Sequence, residues 1–598
     1  MSGPAPTAGT GVTAAEVRRA VEVAAGRAPG TLHLRGGRVV NVFTSEILEA
    51  DVLVAGRLVA AVLPVVPAHY PPADDVVDLA GSVVRPGYID GHVHLESSLV
   101  TPAEYARCLL PRGVTGVVCD PHELANVAGE AGVAWLLAAS ADLPFDVWVT
   151  APSCVPSSPF ETIGADYGPG AMARLLDDPR SVGVAELMSF GALVAGDERV
   201  LTKARLGEER GRTVEGHAPA LTGAALQAYL AAGVGSDHES TTLAEGLEKL
   251  RAGAFLRIRE GSVTRDLDAL MPLVDPRHGD RIGFVTDDRL PHDLLTEGGV
   301  DLLVRRAVAA GRDAAYAVRC ASYNHARHFR LPRRGAVAAG YLADLAVGGE
   351  LSADPDLVLK GGQVVARGGL LVPGAVPARP ALTAAGPLGR SVRLPALAPA
   401  SFAAPAPPGP MRVIRAHPNQ ILTTAERQTP TVVDGLAVAD PARDLAKLAC
   451  VERHGRRPDA VPAVGFVAGF GLRRGALASS VGHDHHNVLC VGTNDRDMLA
   501  ACLRLAELGG GLVACLDGAV VAELELPIGG IVTDVPLEAV RDRLDALDAA
   551  ARSFGCELPS PYMALSFMGL AVIPELRLTD LGLVDVGAGR IVPLAADA

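Results

Sequence analysis

From residue 83 onward, eight short apolar runs alternate with helix-like segments, and no other feature constrains the fold as strongly. Strand-length apolar runs separated by helical patterns are typical of the βα units that close into a parallel barrel. TPAEYARCLL and VDLLVRRAVAAG are examples of the helical segments. The sequence therefore predicts a (β/α)8 TIM-like barrel over residues 81–339, with strands at 83–94, 113–120, 146–154, 182–190, 212–217, 233–238, 254–260 and 281–288.

The segments that flank this barrel carry different patterns. Residues 1–80 hold a short helix and then alternating strands, and residues 340–370 return to strand-turn-strand patterning. We expect these two segments to join in one discontinuous small β-domain. Residues 371–410 are rich in Pro and Ala, which is typical of an extended linker. Residues 411–598 mix strands with helices and predict a C-terminal α+β domain, so the chain as a whole belongs to the α/β class.

Charge and cysteine content exclude several classes of protein. The chain has 54 basic and 68 acidic residues, and this balance argues against a broad surface for nucleic acid or anionic membrane. Its nine cysteines are scattered and form no CxxC pair, so we expect reduced thiols. No apolar stretch reaches the length of about 20 residues that crosses a bilayer. Thr13 and Glu16 resemble a capping box in place of a secretory signal, so a cytoplasmic protein is expected.

Histidines and carboxylates recur where the predicted strands end. Catalytic groups of such barrels come from the C-terminal ends of the strands, so these positions are candidates for one shared site. Random placement rarely puts His or a carboxylate at so many successive strand ends. The residues are His92 and His94, then Asp120, His122 and Glu123, then Glu186 and His217, then Asp237, His238 and Glu239, and finally Asp287 and Asp288.

Four imidazoles, one bridging carboxylate and one terminal aspartate are the ligands that two divalent first-row metals need. Imidazole suits zinc, iron or manganese, and a carboxylate can span two ions. Water held between two such ions loses a proton near neutral pH. Asp287 would then take the remaining proton during attack and carry it to the leaving group, which predicts a hydrolytic reaction.

Several motifs taken together are more specific than any one of them. PGYIDGHVHLES, CDPHELANV, VAELMSF, EGHAP, SDHES and VTDDR occur in this order along the barrel. VVNVFTSE precedes them, and GHDHHNVLCVGTND and PYMALSFMGLAVIPELRLTDLGLVDV follow them. This set resembles the bacterial adenine deaminases of the amidohydrolase superfamily over nearly the whole chain.

The resemblance implies a reaction and a ligand set. The reaction is the hydrolytic deamination of adenine to hypoxanthine and ammonia, with attack at C6, in purine salvage. Two divalent ions are implied, manganese or iron first and zinc as an alternative. The implied ligands are His92, His94 and Asp287 for one ion, His217 and His238 for the other, and Glu186 between them, where many relatives carry a carboxylated lysine.

Further residues are candidates for catalysis or purine binding. Glu96 and Ser97 follow the His-x-His pair, and Glu96 is either a purine contact or proton carrier, or part of a solvated loop. His122 and Glu123 end the second strand, where a role in the site competes with a charge at a helix N-terminus. Glu123 is placed with Glu96 and Asp287 among the catalytic candidates. Asp288 either orients a metal-binding histidine or caps a helix.

The densest group of histidines lies far beyond the barrel, in GHDHHN at 482–487. His483 and His486 are candidate purine contacts if this segment is a loop that closes over the active site, and an extra metal site is also open. The alternative is a polar turn between two strands. Geometry is required to separate these interpretations.

Two departures from the family pattern keep the substrate open. Ser189 stands where the family usually shows asparagine, and GHDHHN replaces the usual AHDSHN. Another 6-aminopurine or an N6-substituted adenine is therefore a possible substrate.

Two other functions stay open. One is a cyclic-amide hydrolase of the same superfamily, and the other is a catalytically silent purine-binding protein. A homo-oligomer, either dimer or tetramer, is expected.

Overall fold

The computed structural model describes residues 11–377, 386–418 and 420–596. Three parts of the predicted domains lie outside the described residues. They are the first ten residues of the predicted N-terminal segment, residues 378–385 of the predicted linker, and residues 419, 597 and 598 of the predicted C-terminal domain.

A capping box begins the N-terminal helix, Ala14–Ala24. The Thr13 hydroxyl accepts the Glu16 backbone N–H at 3.2 Å, and the Glu16 carboxylate accepts the Thr13 backbone N–H at 2.7 Å. Two helix-end donors that would otherwise lack partners are thereby satisfied. The sequence prediction of this helix start is confirmed.

One nine-stranded sheet joins strands from before and after the barrel, which confirms the discontinuous β-domain. In this sheet Val83–Pro86 pairs antiparallel with Leu345–Gly348, so the two segments meet directly. Its strands are Leu32–Asn41, Glu46–Ala55, Leu58–Leu63, Asp75–Asp78, Val83–Pro86, Leu345–Gly348, Leu357–Lys360, Gln363–Arg367 and Leu370–Leu371.

The predicted first barrel strand, 83–94, is in fact two strands in two sheets. Val83–Pro86 belongs to the β-domain, and only Tyr88–Val93 enters the barrel. The chain crosses between them at Gly87, where an added Cβ would lie 2.3 Å from the Thr115 hydroxyl oxygen. Only glycine allows this close approach, and the Pro86-Gly87 pair marks the break within the apolar run.

The barrel itself has the eight predicted strands within the described residues. The first five strands pair parallel to one another, and the last three form a second parallel set. A parallel bridge between Val93 and Asp287 joins the first strand to the end of the eighth. At the junction between the fifth and sixth strands, the Gly235 N–H donates a hydrogen bond of 2.9 Å to the Val214 carbonyl. In chain order the strands are Tyr88–Val93, Val114–Cys119, Asp146–Ala151, Ser181–Leu187, Thr213–Gly216, Ser236–Asp237, Phe255–Arg259 and Ile282–Val285.

Helices surround the barrel, and the last of them closes its N-terminal end. There His325 Nε2 forms a hydrogen bond of 2.8 Å with the Phe284 carbonyl. The His325 ring also packs directly on Gly91, where an added Cβ would lie 2.1 Å from Nδ1. The helices are Pro102–Leu109, His122–Ala128, Glu130–Ser140, Pro169–Leu176, Phe190–Val194, Glu198–Glu209, Gly223–Ala231, Leu243–Arg251, Leu267–Leu270, Pro291–Thr296, Val300–Ala309, Ala314–Cys320 and Tyr323–His328.

The C-terminal domain is built on an eight-stranded sheet. In chain order its strands are Met411–Arg415, Thr424–Gln428, Ala446–Val451, Ala463–Ala468, Ala476–Ser479, Val488–Gly492, Gly511–Leu516 and Ala519–Glu525. Its helices are Asp495–Glu507, Leu537–Ser553 and Pro561–Phe567.

Two small three-stranded sheets accompany the main sheet. The first comprises Ala404–Pro405, Thr431–Val433 and Leu436–Val438, and the second comprises Leu576–Thr579, Gly582–Asp585 and Arg590–Val592. The described part of the Pro/Ala-rich segment contributes Ala404–Pro405 and the 3-10 turns Gly386–Arg390 and Pro399–Phe402.

Hydrogen bonds to backbone carbonyls of the barrel join this domain to the C-terminal mouth of the barrel. The Thr533 N–H bonds the Leu99 carbonyl at 2.8 Å, and the Asn487 amide donates to the Thr162 carbonyl at 2.9 Å. The segment 482–487 consequently lies over the ends of the first barrel strands. Every helix in the described ranges is too short or too polar to cross a lipid bilayer.

Candidate metal centre and active site

Three imidazoles surround Glu186, which is the carboxylate predicted to bridge two ions. His217 Nδ1 and His238 Nε2 lie 2.8 and 3.1 Å from Glu186 Oε2. His94 Nε2 lies 3.4 Å from the other oxygen, Oε1. Burial alone would raise the pKa of Glu186, but His217 and the other imidazoles hold it well below the usual range. Glu186 therefore presents both ionised oxygens to different histidines, as a bridging ligand must.

Asp287 forms the second centre of the site. Its Oδ1 lies 3.1 Å from His94 Nε2 and 3.5 Å from His92 Nε2, and its Oδ2 accepts a hydrogen bond from Arg259 at 3.0 Å. Burial opposes ionisation, yet the two histidines and the arginine hold the pKa of Asp287 well below its usual range. Its backbone has φ of 62°, a left-handed conformation that is uncommon for a residue with a Cβ and that recurs at functional sites.

The six predicted ligands fit a pair of divalent first-row ions. His92 Nε2 is buried without a hydrogen-bond partner among the described residues, although a buried polar nitrogen normally has one. Burial and the neighbouring His92 lower the pKa of His238 to about 3, which leaves its ring neutral, as a metal ligand must be. Ligand atoms of His92, His238 and Asp287 form one close group, and those of Glu186, His217 and His238 form another.

The grouping differs in one respect from the implied assignment. His94 lies with Asp287 and Asp288 in one group and with Asp120, His122 and Glu186 in another, and His238 is common to two groups. The assignment of each histidine to one ion therefore stays a prediction. The convergence of all six side chains at one barrel mouth is an observation.

Arg259 is a site residue that the strand-end pattern of histidines and carboxylates did not include. It ends the seventh barrel strand, is buried, and donates hydrogen bonds to Asp287, to Glu239 and, at 3.1 Å, to Asp266. Glu239 in turn lies 3.6 Å from His217 Nδ1. The sequence does contain a signal for this residue. An arginine at the end of the strand in AFLRIRE needs polar partners at the catalytic end of the barrel.

The second barrel strand brings His122 to the site. Its Nδ1 lies 3.1 Å from Asp120 Oδ2 and 3.7 Å from Glu186 Oε1, and its ring lines the cavity. Its Nε2 faces two carboxylates, Asp484 at 3.6 Å and Glu123 at 3.8 Å. His122 thus has a carboxylate at each edge of its ring.

The segment 482–487 reaches the active site, so the interpretation as merely a polar turn between two strands is not favoured. The interpretation as an extra metal site stays a prediction. His483 Nδ1 lies 2.7 Å from Glu123 Oε1, and His486 Nε2 bonds Glu123 Oε2. His483 and Asp484 line the cavity together with the barrel residues. A loop from the C-terminal domain thereby completes the site, although His486 and Glu123 are 363 residues apart in the chain.

Three other candidates lie at different depths. Asp288 lines the cavity and accepts a hydrogen bond from the Ser97 hydroxyl, whereas Ser97 itself is not part of the lining. Glu96 is buried behind the site, where it accepts the Leu124 N–H at 3.3 Å, and burial raises its pKa to about 7. Its carboxyl therefore faces the start of a helix and does not border the space for a substrate.

The C-terminal domain gives the cavity an apolar wall. A larger cleft of about 1020 Å³ adjoins the cavity and shares His217, Glu239 and Arg259 with it. A flat, neutral ring can therefore lie against apolar side chains while its edges face polar groups. The wall was missed because its helix, Pro561–Phe567, has the apolar pattern of any packed helix. The wall residues are Ile421, Met563, Phe567, Leu570 and Ile573.

Comparison with known proteins gives matches across both domains. The amidohydrolase family matches residues 83–365, and the adenine deaminase C-terminal domain matches residues 420–590. An adenine deaminase of Methylobacterium sp. (strain 4-46) is 43% identical over 583 residues, which are 97% of this chain and 100% of that protein. Adenine deaminases of Cereibacter sphaeroides and Desulfatibacillum aliphaticivorans are 42% and 41% identical, cover 95% and 96% of this chain, and are themselves covered to 98% and 99%. Because these relatives are more than 40% identical over nearly the full length of the chain, the chain belongs to the adenine deaminase family.

Proposed function

We propose that the protein hydrolyses adenine to hypoxanthine and ammonia, as an enzyme of purine salvage. The observation that carries this proposal is the convergence of four imidazoles on Glu186 and Asp287 beneath an apolar wall supplied by the C-terminal domain. The names of the nearly full-length relatives support the same substrate. A cyclic-amide hydrolase is not favoured, because it does not account for a match to the adenine deaminase C-terminal domain. A silent purine-binding protein is not favoured, because such a protein has no physical need for the six clustered metal-ligand candidates.

Two divalent ions are part of the proposal. The residues that would hold them are His92, His94, Glu186, His217, His238 and Asp287. When bound, such ions supply a hydroxide nucleophile at neutral pH by lowering the pKa of water. We propose manganese or iron as the physiological metal, with zinc as the alternative that the same ligands accept.

Asp287 is proposed to move one proton during the reaction. Arg259 holds its Oδ2, so its Oδ1 is directed toward the histidines and the nucleophile. Because Asp287 is ionised, it can accept a proton from the oxygen that adds to C6 and deliver it to the amino group. An amine leaves readily only when it is protonated, so this transfer serves both halves of the reaction.

The adenine ring is proposed to lie against Phe567, Leu570 and Ile573. These side chains exclude water from one face of the ring, while His122, His483 and Asp288 border its edges. Met188 also lines the cavity, directly before Ser189, the position where the chain departs from the family pattern. Substitution at N6 is therefore the change in substrate most worth testing.

Three further predictions remain part of the proposal. The domain limits at residues 339, 370 and 410 are kept as given above, and the limit first placed at residue 80 is proposed at Gly87, because Val83–Pro86 pairs within the sheet of the β-domain. A homo-oligomeric state and a cytoplasmic location are also proposed. The nine cysteines are all unpaired, which agrees with a reducing compartment.

The proposal is tested by ammonia release from purified protein that has been chelated and then supplied with Mn²⁺ or Fe²⁺. The substrates are adenine, adenosine, guanine, cytosine and N6-methyladenine, and methylamine is measured in place of ammonia for N6-methyladenine, because methylamine is the amine that its hydrolysis at C6 releases. We expect adenine to give the highest kcat/KM of the five. Absence of ammonia from every aminopurine would contradict the proposed function.

A further inference from the structure

Deamination at C6 needs two separate proton transfers, and Asp287 can account for only one. When a water oxygen adds to C6, the electron pair of the C6–N1 double bond moves onto N1, which takes a proton from a donor. Asp287 carries a proton from the added oxygen to the amino group, the C6–N6 bond breaks, and ammonia leaves with its electron pair. The donor to N1 regains its proton when the next water ionises. The chain must therefore supply a second acid beside the ring.

His483 occupies a suitable place for this acid. It borders the cavity, and its side chain is only 8% exposed. Its Nδ1 lies 2.7 Å from Glu123 Oε1, and its ring stacks on Phe567 with centroids 5.1 Å apart and planes at 20°. Since Nδ1 is occupied by Glu123 and one face by Phe567, Nε2 is the edge left for a substrate.

Glu123 is itself held in position by His486. The His486 Nδ1 accepts the Gly482 N–H at 3.3 Å, so its proton is on Nε2 and is donated to Glu123 Oε2. His486 is thus a neutral donor, which leaves the negative charge of Glu123 to pair with His483. The carboxylate fixes both the orientation of His483 and its charge.

We infer that His483 is the catalytic residue that protonates N1 of the purine, and that Glu123 and His486 are the positioning residues that hold it. This inference rests on the proposed function. It assigns to the C-terminal domain a direct part in the chemistry of the barrel site, because His483 is the only member of the trio that borders the cavity.

The electrostatic surroundings of His483 support this role. The charged groups that face it are the carboxylates Glu123, Asp288 and Asp484, and the neutral His486 lies beside Glu123. Burial alone would lower the pKa of His483, but these carboxylates, Glu123 foremost, raise it to about 9. The ring is therefore protonated at neutral pH and can give up that proton during turnover.

Other groups at the cavity are less suitable. Both edges of His122 face carboxylates, Asp120 at one edge and Asp484 with Glu123 at the other. Arg259 is fully engaged with carboxylates, and a guanidinium does not release a proton at physiological pH.

The test compares the metal-loaded wild type with His483→Gln, Glu123→Gln and the matched control His69→Gln, an exposed histidine of the β-domain. His483→Gln is expected to lower kcat by about a hundredfold or more. It is also expected to abolish the alkaline limb of the pH profile, which is the fall in kcat at high pH as His483 loses its proton. Glu123→Gln is expected to move that limb to lower pH, because the carboxylate charge no longer favours the imidazolium. His69→Gln is expected to change neither kcat nor the pH profile.

A binding measurement separates proton donation from a merely structural role. Purine and 1-deazapurine lack the amino group and differ at N1, so their inhibition constants report a hydrogen bond to that atom. Wild type should bind purine about tenfold or more tighter than 1-deazapurine. This ratio should fall severalfold in His483→Gln and stay unchanged in His69→Gln.

The outcomes distinguish the inference from the proposed function. If the wild type deaminates adenine while His483→Gln keeps its kcat, its alkaline limb and its purine preference, the inference is wrong and the function stands. If His483→Gln does not fold, an unshifted alkaline limb in Glu123→Gln overturns the inference. If the wild type releases no ammonia from any aminopurine, the proposed function fails and the inference falls with it.

Discussion

At the scale of single residues, Asp287 and Arg259 illustrate what local sequence does and does not reveal. Asp287 is a candidate from the sequence because it lies at the end of a predicted barrel strand, and the structure places it beside His92 and His94. Arg259 contacts the same carboxylate but carries no motif of its own. A functional residue at a strand end can therefore be predicted more readily than the second residue that orients its side chain.

Asp287→Asn is expected to lower kcat for adenine by about 10²–10⁴-fold, because an amide cannot carry the proton from nucleophile to leaving amine. The measurement is ammonia release together with metal content, which shows whether both ions remain bound. Asp268→Asn is the control, since the Asp268 side chain is 82% exposed. Full turnover in Asp287→Asn with normal metal content would disprove the proton shuttle.

Arg259→Leu is expected to lower the free energy of unfolding by about 3–5 kcal/mol, since it leaves Asp287, Glu239 and Asp266 buried without their shared cation. Denaturation by urea measures this change. The matched control is Arg205→Leu, because the Arg205 side chain is 70% exposed and its one ion-pair partner among the described residues is Glu209. This control should change the free energy of unfolding by about 0.5 kcal/mol or less. Equal effects of the two substitutions would contradict the role given to Arg259.

At the scale of elements, the barrel strands were predictable and the apolar wall was not. Alternation of apolar runs with helical segments indicates parallel strands, because each strand is buried on both faces. The split at Gly87 escaped prediction because the strands on both sides of it are short and fully buried, so they read as one run despite the Pro86-Gly87 pair. The helix Pro561–Phe567 escaped as a site element because an apolar side chain that faces a cavity has the same pattern as one that faces a core.

Phe567→Leu is expected to raise KM for adenine by about tenfold, since the flat surface available to the ring and to His483 is lost. Steady-state kinetics with adenine measure the change, and kcat should fall less than KM rises. Phe43→Leu, at a side chain on the β-domain that is 41% exposed, is the control and should leave KM unaltered. An unchanged KM in Phe567→Leu would show that the ring does not lie on this wall.

At the scale of the whole molecule, the active site belongs to neither domain alone. The barrel supplies the proposed metal ligands, and the C-terminal domain supplies His483, Asp484 and the apolar wall. The sequence predicted both domains and drew attention to the histidines of 482–487, but it could not bring them to Glu123. That contact depends on how the barrel and the C-terminal domain pack against each other, and such packing leaves no periodic signal along the chain.

The most direct test of the central claim is a titration of the metal-free protein with Mn²⁺, followed by the rate of hypoxanthine formation from adenine. We predict no activity without metal and a rate that rises to a plateau at two equivalents of Mn²⁺ per chain, because six ligands serve two ions. Full activity without metal, or a plateau at a single equivalent, would contradict the two-metal site.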